Sequence, residues 1–254
     1  MEEEKRGDLV SHLDELRTRI LRSAIYAVIG VTLVWVLYNP LYRVLTRPIE
    51  HALKAVHGEL IVTQFMEGFL VKFEISLVGG LIVAAPFIYY EIWGFIAPGL
   101  TGNERRAVRP LVPVSAALFV AGVALAYAIT EPSIAWLLGM NPPGTVPRYR
   151  LNENLLLLLK FYLAFGLAFQ LPIVLILLAR IGIVNSRLLG HRWREATVAI
   201  FVIAAIITPT WDPITMTVCA LPMCGLYLGT IGVIKLIERG RQRAMRVAQG
   251  TGTG

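Results

Sequence analysis

The chain has 254 residues, 56% hydrophobic and 16% charged, with a net charge of +7 and a mean hydropathy of +0.64. Soluble domains carry about 25% charged residues, so this composition excludes an ordinary water-soluble globule. Apolar runs of about 20 residues, the length that crosses ~30 Å of hydrocarbon, recur along it and predict an all-α, polytopic membrane protein.

Residues 1–22 are charged throughout and lack the apolar core of a cleavable secretory signal. Leu9, Leu13, Leu16 and Ile20 recur at helical spacing, which predicts an amphipathic N-terminal helix leading into the bilayer. Ser23–Tyr38 reads as the first span, ended by Asn39-Pro40. Leu41–Phe69, with Pro48 and the amphipathic piece His51–Leu60, reads as an ordered outer loop. The second span covers about Leu70–Ala97. Pro86 in its middle removes one backbone hydrogen bond and predicts a kink. Tyr89, Tyr90 and Trp93 near its end read as an interfacial aromatic belt. Pro98-Gly99 closes it, and Phe95–Arg109 is a polar connection in which Glu104 stands beside Arg105 and Arg106.

Leu111–Ile129 is the third predicted span and Glu131–Glu153 a second outer loop, rich in Pro and Gly. The fourth span, about Leu155–Leu178, has Lys160 near one end and Arg180 at the other. Gly182–Arg194 is a short basic loop, Thr197–Thr208 a brief fifth span, and Ile214–Ile234 the sixth. A basic tail over 235–254 is expected to be partly disordered. Only sixteen residues separate Glu195 from Asp212. A span that short must let its flanks snorkel, as Arg192 and Arg194 can, or thin the bilayer locally.

Lys and Arg residues cluster before the first span and after the second, fourth and sixth. The positive-inside rule therefore puts both termini in the cytoplasm. The positive charge reads as contact with anionic lipid heads rather than nucleic acid. Cys219 and Cys224 lie five positions apart in one apolar run, on different helix faces, and read as small core residues, not a disulfide or a metal pair. Neither HExxH nor GxxxxGK[ST] occurs, so nothing points to a metal, a nucleotide cofactor or a catalytic constellation.

Ser11-His12-Leu13-Asp14-Glu15-Leu16-Arg17-Thr18-Arg19 resembles the start of the TatC family, the multi-span receptor of twin-arginine protein export. Also similar are Ala85-Pro86, Trp93, Phe95 to Leu100, and Glu104-Arg105-Arg106. Further matches are Phe165-Gly166, Phe169-Gln170-Leu171-Pro172, Ala204-Ala205, Thr208-Pro209, Asp212 and Leu221-Pro222. The likeness runs through nearly the whole chain in the correct order. It implies six spans in a cup-shaped fold and recognition of signal peptides bearing paired arginines. It also implies single-span partners resembling TatA and TatB, with transport of folded proteins driven by the proton-motive force.

The chemistry agrees. A guanidinium is a planar donor fork that carboxylates grip in bidentate fashion, whereas an ammonium is a point charge. A site that demands two arginines should offer acids, and Glu15 and Glu104 match the family's acidic positions. Glu15 also stands four residues from Arg19, an alternative helix pair worth only about 0.3–0.5 kcal/mol. Glu104 can equally be a solvated loop charge. Phe95 and Leu100 flank the second acid and suit either the apolar part of a signal peptide or interfacial anchoring. Arg17 and Arg105 shape the site or contact phosphates, since cations aimed at the ligand would repel it.

Gln170 falls midway along the fourth span, where the family commonly has glutamate; it suits a polar contact to a partner helix or a bond between spans. Glu91, where the family often has glutamine, is expected to snorkel at the interface. Pro48 matches a family proline with a backbone-shaping role. Asp212 before Pro213 reads as a helix N-cap, and Pro172, with Gly166, as a bend. The competing reading is a small-solute transporter lined by Gln170 and Lys160. Against it, no inverted repeat is visible and intramembrane charges are few.

Overall fold

The computed structural model describes the backbone of residues 2–96, 110–142, 144–208 and 212–250, and side chains from 12 to 240 within these. Its elements are α1 (Glu2–Val36), α2 (Tyr38–Lys54), β1 (Glu59–Ile61), α3 (Glu67–Ile96), α4 (Leu111–Leu138), β2 (Arg148–Arg150), α5 (Leu151–Ala168), α6 (Leu171–Arg180), α7 (Ser186–His191), α8 (Trp193–Ile207) and α9 (Pro213–Gly250). Among the described residues, five stretches are long and apolar enough to cross a membrane: His12–Val36, Glu67–Ile96, Leu111–Leu138, Leu151–Arg180 and Pro213–Gly240. The chain divides into two compact units, Met1–Gly166 and Leu167–Gly254.

In the first unit, the amphipathic stretch and the first span are one continuous helix, α1. Leu13 and Ile20 of its apolar stripe stay exposed. α1 lies along α3. The two backbones approach so closely at Gly30 and Gly80 that a Cβ on Gly30 would strike the Gly80 carbonyl. Small residues at a crossing are what tight packing of membrane helices requires.

The first predicted outer loop is in fact mostly helix. The chain turns at Leu37, and Asn39-Pro40 begins α2 rather than ending α1, because Pro lacks an N–H that a first helical turn would leave unused anyway. Leu45, Ile49, Ala52 and Leu53 form the buried face of α2, which packs on α4. Pro48 sits inside this helix and cannot donate to the Val44 carbonyl. That oxygen accepts instead from the Tyr127 hydroxyl of α4, at 2.9 Å. The third predicted span, α4, is also longer than expected, running through Pro132 to Leu138 where the sequence suggested a loop.

β1 and β2 form a parallel two-stranded ribbon, with Glu59 opposite Arg148 and Ile61 opposite Arg150. Glu67 braces the same region. Its Oε2 accepts from Thr63 N (2.6 Å), Thr63 Oγ1 (3.1 Å) and Gln64 N (3.2 Å), and its Oε1 accepts from Asn152 N in the first turn of α5 (3.1 Å). Phe119, Tyr162 and Phe165 fill the core between α4 and α5, with Gly166 leaving room for the Phe119 ring.

At the end of α5 the backbone tightens. Gln170 N bonds Leu167 O at 2.9 Å, and a new helix starts with Pro172 in its first turn. Pro172 has no N–H for Ala168 O, so one continuous helix would lose a bond there. The fourth span is thus two helices, α5 and α6.

The second unit holds α6 to α9. Asn185 Oδ1 caps α7 by accepting from Leu188 N at 2.7 Å, and Glu238 of α9 accepts from Ser186 N at 2.9 Å and from its hydroxyl. The predicted basic loop is therefore an ordered helical turn. α8 has fifteen residues, about 22 Å at 1.5 Å per residue, short of the ~30 Å hydrocarbon core. Asp212 Oδ1 accepts from Thr215 N at 2.7 Å, at the start of α9. α9 continues past Ile234 to Gly250; Ala, Met, Arg and Gln in that stretch are good helix formers.

Candidate functional site

The candidate site is built where α1 runs beside the last turns of α3. Glu15 and Arg19 share one face of α1 by their spacing of four. Arg19 Nε and Nη2 both donate to Glu15 Oε1, at 3.1 and 2.8 Å, and Nη1 donates to Glu91 Oε2 of α3 at 2.9 Å. One guanidinium thus spans two carboxylates. Both donors to Glu15 use the same oxygen, Oε1.

Gly94 makes this reach possible. It lies one turn beyond Glu91, and a Cβ there would collide with the Arg19 guanidinium. The three acid and base groups differ in exposure. The Glu15 side chain is 32% exposed, Arg19 21% and Glu91 2%. Glu91 therefore does not snorkel to water; its carboxylate is sealed between the helices and held by Arg19. An isolated charge there would be costly, so the partner is a condition of its burial.

Around this clasp, His12 of α1 stacks on Phe95 of α3, ring centroids 4.5 Å apart and planes 18° apart. Trp93 is buried, and its Nε1 donates to Ser115 Oγ of α4 at 3.1 Å. Tyr89 meets the Phe119 ring of α4 edge-on at 5.5 Å. Only Tyr90 points outward. The expected aromatic belt is therefore not a belt. Residues 89 and 93 share one helix face and pack inward, while residue 90 is turned about 100° away.

Of the residues the sequence singles out, Glu15 and Phe95 are brought to this corner, and Arg17 is exposed on α1 beside them. Leu100, Glu104 and Arg105 lie outside the described residues, in the connection that follows α3. Gln170 is half-buried at the turn between α5 and α6, and Pro172 is buried one position into α6. Pro86 sits inside α3 and Pro48 inside α2. Glu91 and Gly94 were not assigned roles by sequence. A carboxylate in the apolar end of a span, with an arginine in a neighbouring helix, is the signal that finds the first; nothing in the sequence marks the second.

In the second unit, α6, α8 and α9 line a partly open apolar cavity of about 180 Å³, with Leu171, Pro172, Ala199, Ile200, Met223 and Tyr227 among its walls. The Tyr227 hydroxyl is taken by the Leu189 carbonyl at 2.9 Å.

Residues 11–222 match the family model described as Sec-independent protein translocase protein (TatC). The chain belongs to the TatC family. It is 37% identical over 243 residues to the Sec-independent protein translocase protein TatC of Koribacter versatilis, covering 94% of this chain and 89% of that protein. It is 34% identical over 241 residues to the TatC of Xylanimonas cellulosilytica, covering 94% and 87%. Among solved structures, it superposes on the crystal structure of the twin-arginine translocase receptor TatC in DDM with a TM-score of 0.76 at 34% identity, covering 88% of this chain and 99% of that one. The TatC likeness and the apolar helices together make this a multi-pass membrane protein.

Proposed function

We propose that this TatC-family chain is the receptor and core scaffold of a twin-arginine export system. It binds signal peptides bearing paired arginines at the cytoplasmic face of the cell membrane and assembles with single-span TatA- and TatB-like proteins. The assembly moves folded proteins using the proton-motive force, and the chain acts as a binding scaffold rather than an enzyme. In this reading α8 is a sixth, short span, both termini are cytoplasmic, and the clasp corner faces the cytoplasm. The distribution of Lys and Arg supports that orientation.

The observation that carries the reading is Glu15, partly exposed on α1 and already engaged by a guanidinium. Arg19 Nε and Nη2 both reach its Oε1, so a guanidinium docks on this carboxylate through one oxygen and leaves the other without a bond to Arg19. Phe95 lies one residue before the end of α3, ahead of the connection that carries Leu100, Glu104 and Arg105. Glu104 is assigned the second acid, Phe95 and Leu100 the apolar flank of the peptide, and Arg17 and Arg105 the shaping of the site or phosphate contact. Gln170 is assigned a polar contact to a partner helix.

The test is the affinity of the full-length protein, in nanodiscs, for a signal peptide with RR or with KK. Glu15→Ala and Glu104→Ala should each weaken RR binding about tenfold or more, the scale of a lost charge-assisted pair, while the protein still inserts. Undiminished binding in both variants refutes the assignment.

A further inference from the structure

Arg19 poses a problem for the receptor reading. Paired with Glu15 alone, it would cancel the charge that an incoming arginine needs. The structure gives Arg19 a second carboxylate, so the cluster of Glu15, Arg19 and Glu91 carries a formal charge of −1 rather than zero. Glu91 is almost wholly buried and cannot meet a ligand itself. Its contact is with Arg19, through the gap that Gly94 leaves.

We propose that Glu91 and Gly94 are positioning residues of the arginine-binding site, acting through Arg19. This rests on the receptor reading above. Glu91 neutralises Arg19 and pins it to α3, which returns to Glu15 the negative charge Arg19 would otherwise cancel. The pinned guanidinium takes Glu15 through Oε1 alone and fixes the carboxylate plane. Oε2, which accepts nothing from Arg19, is left for a donor from the ligand. Gly94 permits this because a side chain there would push the guanidinium off Glu91 and wholly onto Glu15. Displacement of Arg19 by the ligand is disfavoured, since it would leave Glu91 buried without its cation. The arrangement is therefore a fixed support, not a plug that the ligand removes.

The experiment measures RR-peptide binding to the full-length protein in nanodiscs for Glu15→Gln, Glu91→Gln and the double variant Arg19→Gln/Glu91→Gln. Glu91→Gln leaves Arg19 to neutralise Glu15, and binding should fall about tenfold, the scale of one charge-assisted contact. The double variant removes both charges and leaves an amide pair between α1 and α3. It should recover binding to within about threefold of the natural protein. A contact that only holds two helices together predicts the reverse, with the double variant no better than the single. Loss of binding in Glu15→Gln with normal binding in Glu91→Gln would overturn this proposal and leave the receptor reading standing. Normal binding in Glu15→Gln would overturn this proposal and the role given to Glu15, and would leave the receptor reading to Glu104. If Glu91→Gln does not insert, Gly94→Ala asks the same question with every charge retained. It should weaken binding in the same direction, and unchanged affinity there overturns the proposal.

Discussion

Glu67 and Glu91 stand near opposite ends of α3 and are both buried, at 4% and 2% exposed, yet they are satisfied in opposite ways. Glu67 takes three backbone N–H groups and one hydroxyl, donors that carry no charge and have no other task. They close the turn before α3 and tie it to α5, so the carboxylate acts as a staple. Glu91 is held by a guanidinium that also holds Glu15. Fixed neutral donors suit a joint that must not move. A shared charged donor suits a place where the remaining charge has further use.

The comparison can be broken by substitution. The largest effect should come from Glu67→Ala, which strands three backbone donors at once. The melting temperature in detergent should fall by roughly 5–10 °C. Glu91→Gln keeps an acceptor for Arg19 and should change melting by no more than about 2 °C, although it weakens peptide binding. The opposite ranking would show that Glu91 is the staple. Gln170→Leu should separate function from stability a second way. It should lower transport severalfold in an export assay while the protein still inserts, and wild-type export would confine Gln170 to internal bonding.

Smaller effects should follow where a single backbone group is at stake. Asp212→Ala removes the acceptor from Thr215 N at the start of α9 and should cost about 1 kcal/mol by equilibrium unfolding. Tyr127→Phe leaves the Val44 carbonyl without its hydroxyl and should cost about 0.5–1 kcal/mol. Adding Pro48→Ala to Tyr127→Phe supplies a backbone N–H for the same oxygen and should recover that loss.

The long helices were legible because an apolar run of membrane length has few alternatives. α2 was not, although Leu45, Ile49, Ala52 and Leu53 have helical spacing. Two prolines and interleaved basic residues made it read as a loop. In fact Pro40 falls in the first turn, and Pro48 is tolerated because a hydroxyl from another helix serves the freed carbonyl. The β1–β2 ribbon could not be seen, since strands of three residues have no period and their partners are distant in sequence. In the candidate site, motif likeness singles out Glu15 and Phe95, and the structure places them at one corner. Glu91 was misread because its partner lies 72 residues away, and the step from an acid near a helix end to a buried ion pair needs tertiary placement. Trp93 was misplaced for a similar reason. Its indole N–H finds Ser115 only once α3 and α4 are packed.

The most direct measurement places a photo-crosslinking residue at position 15, and separately at position 104, of the full-length protein in membranes and presents an RR signal peptide. Both positions should crosslink near the paired arginines, and both signals should collapse when the pair is changed to KK. Absence of crosslinks at both positions, or equal yields with RR and KK, would contradict the assignment of these acids as the arginine receptor.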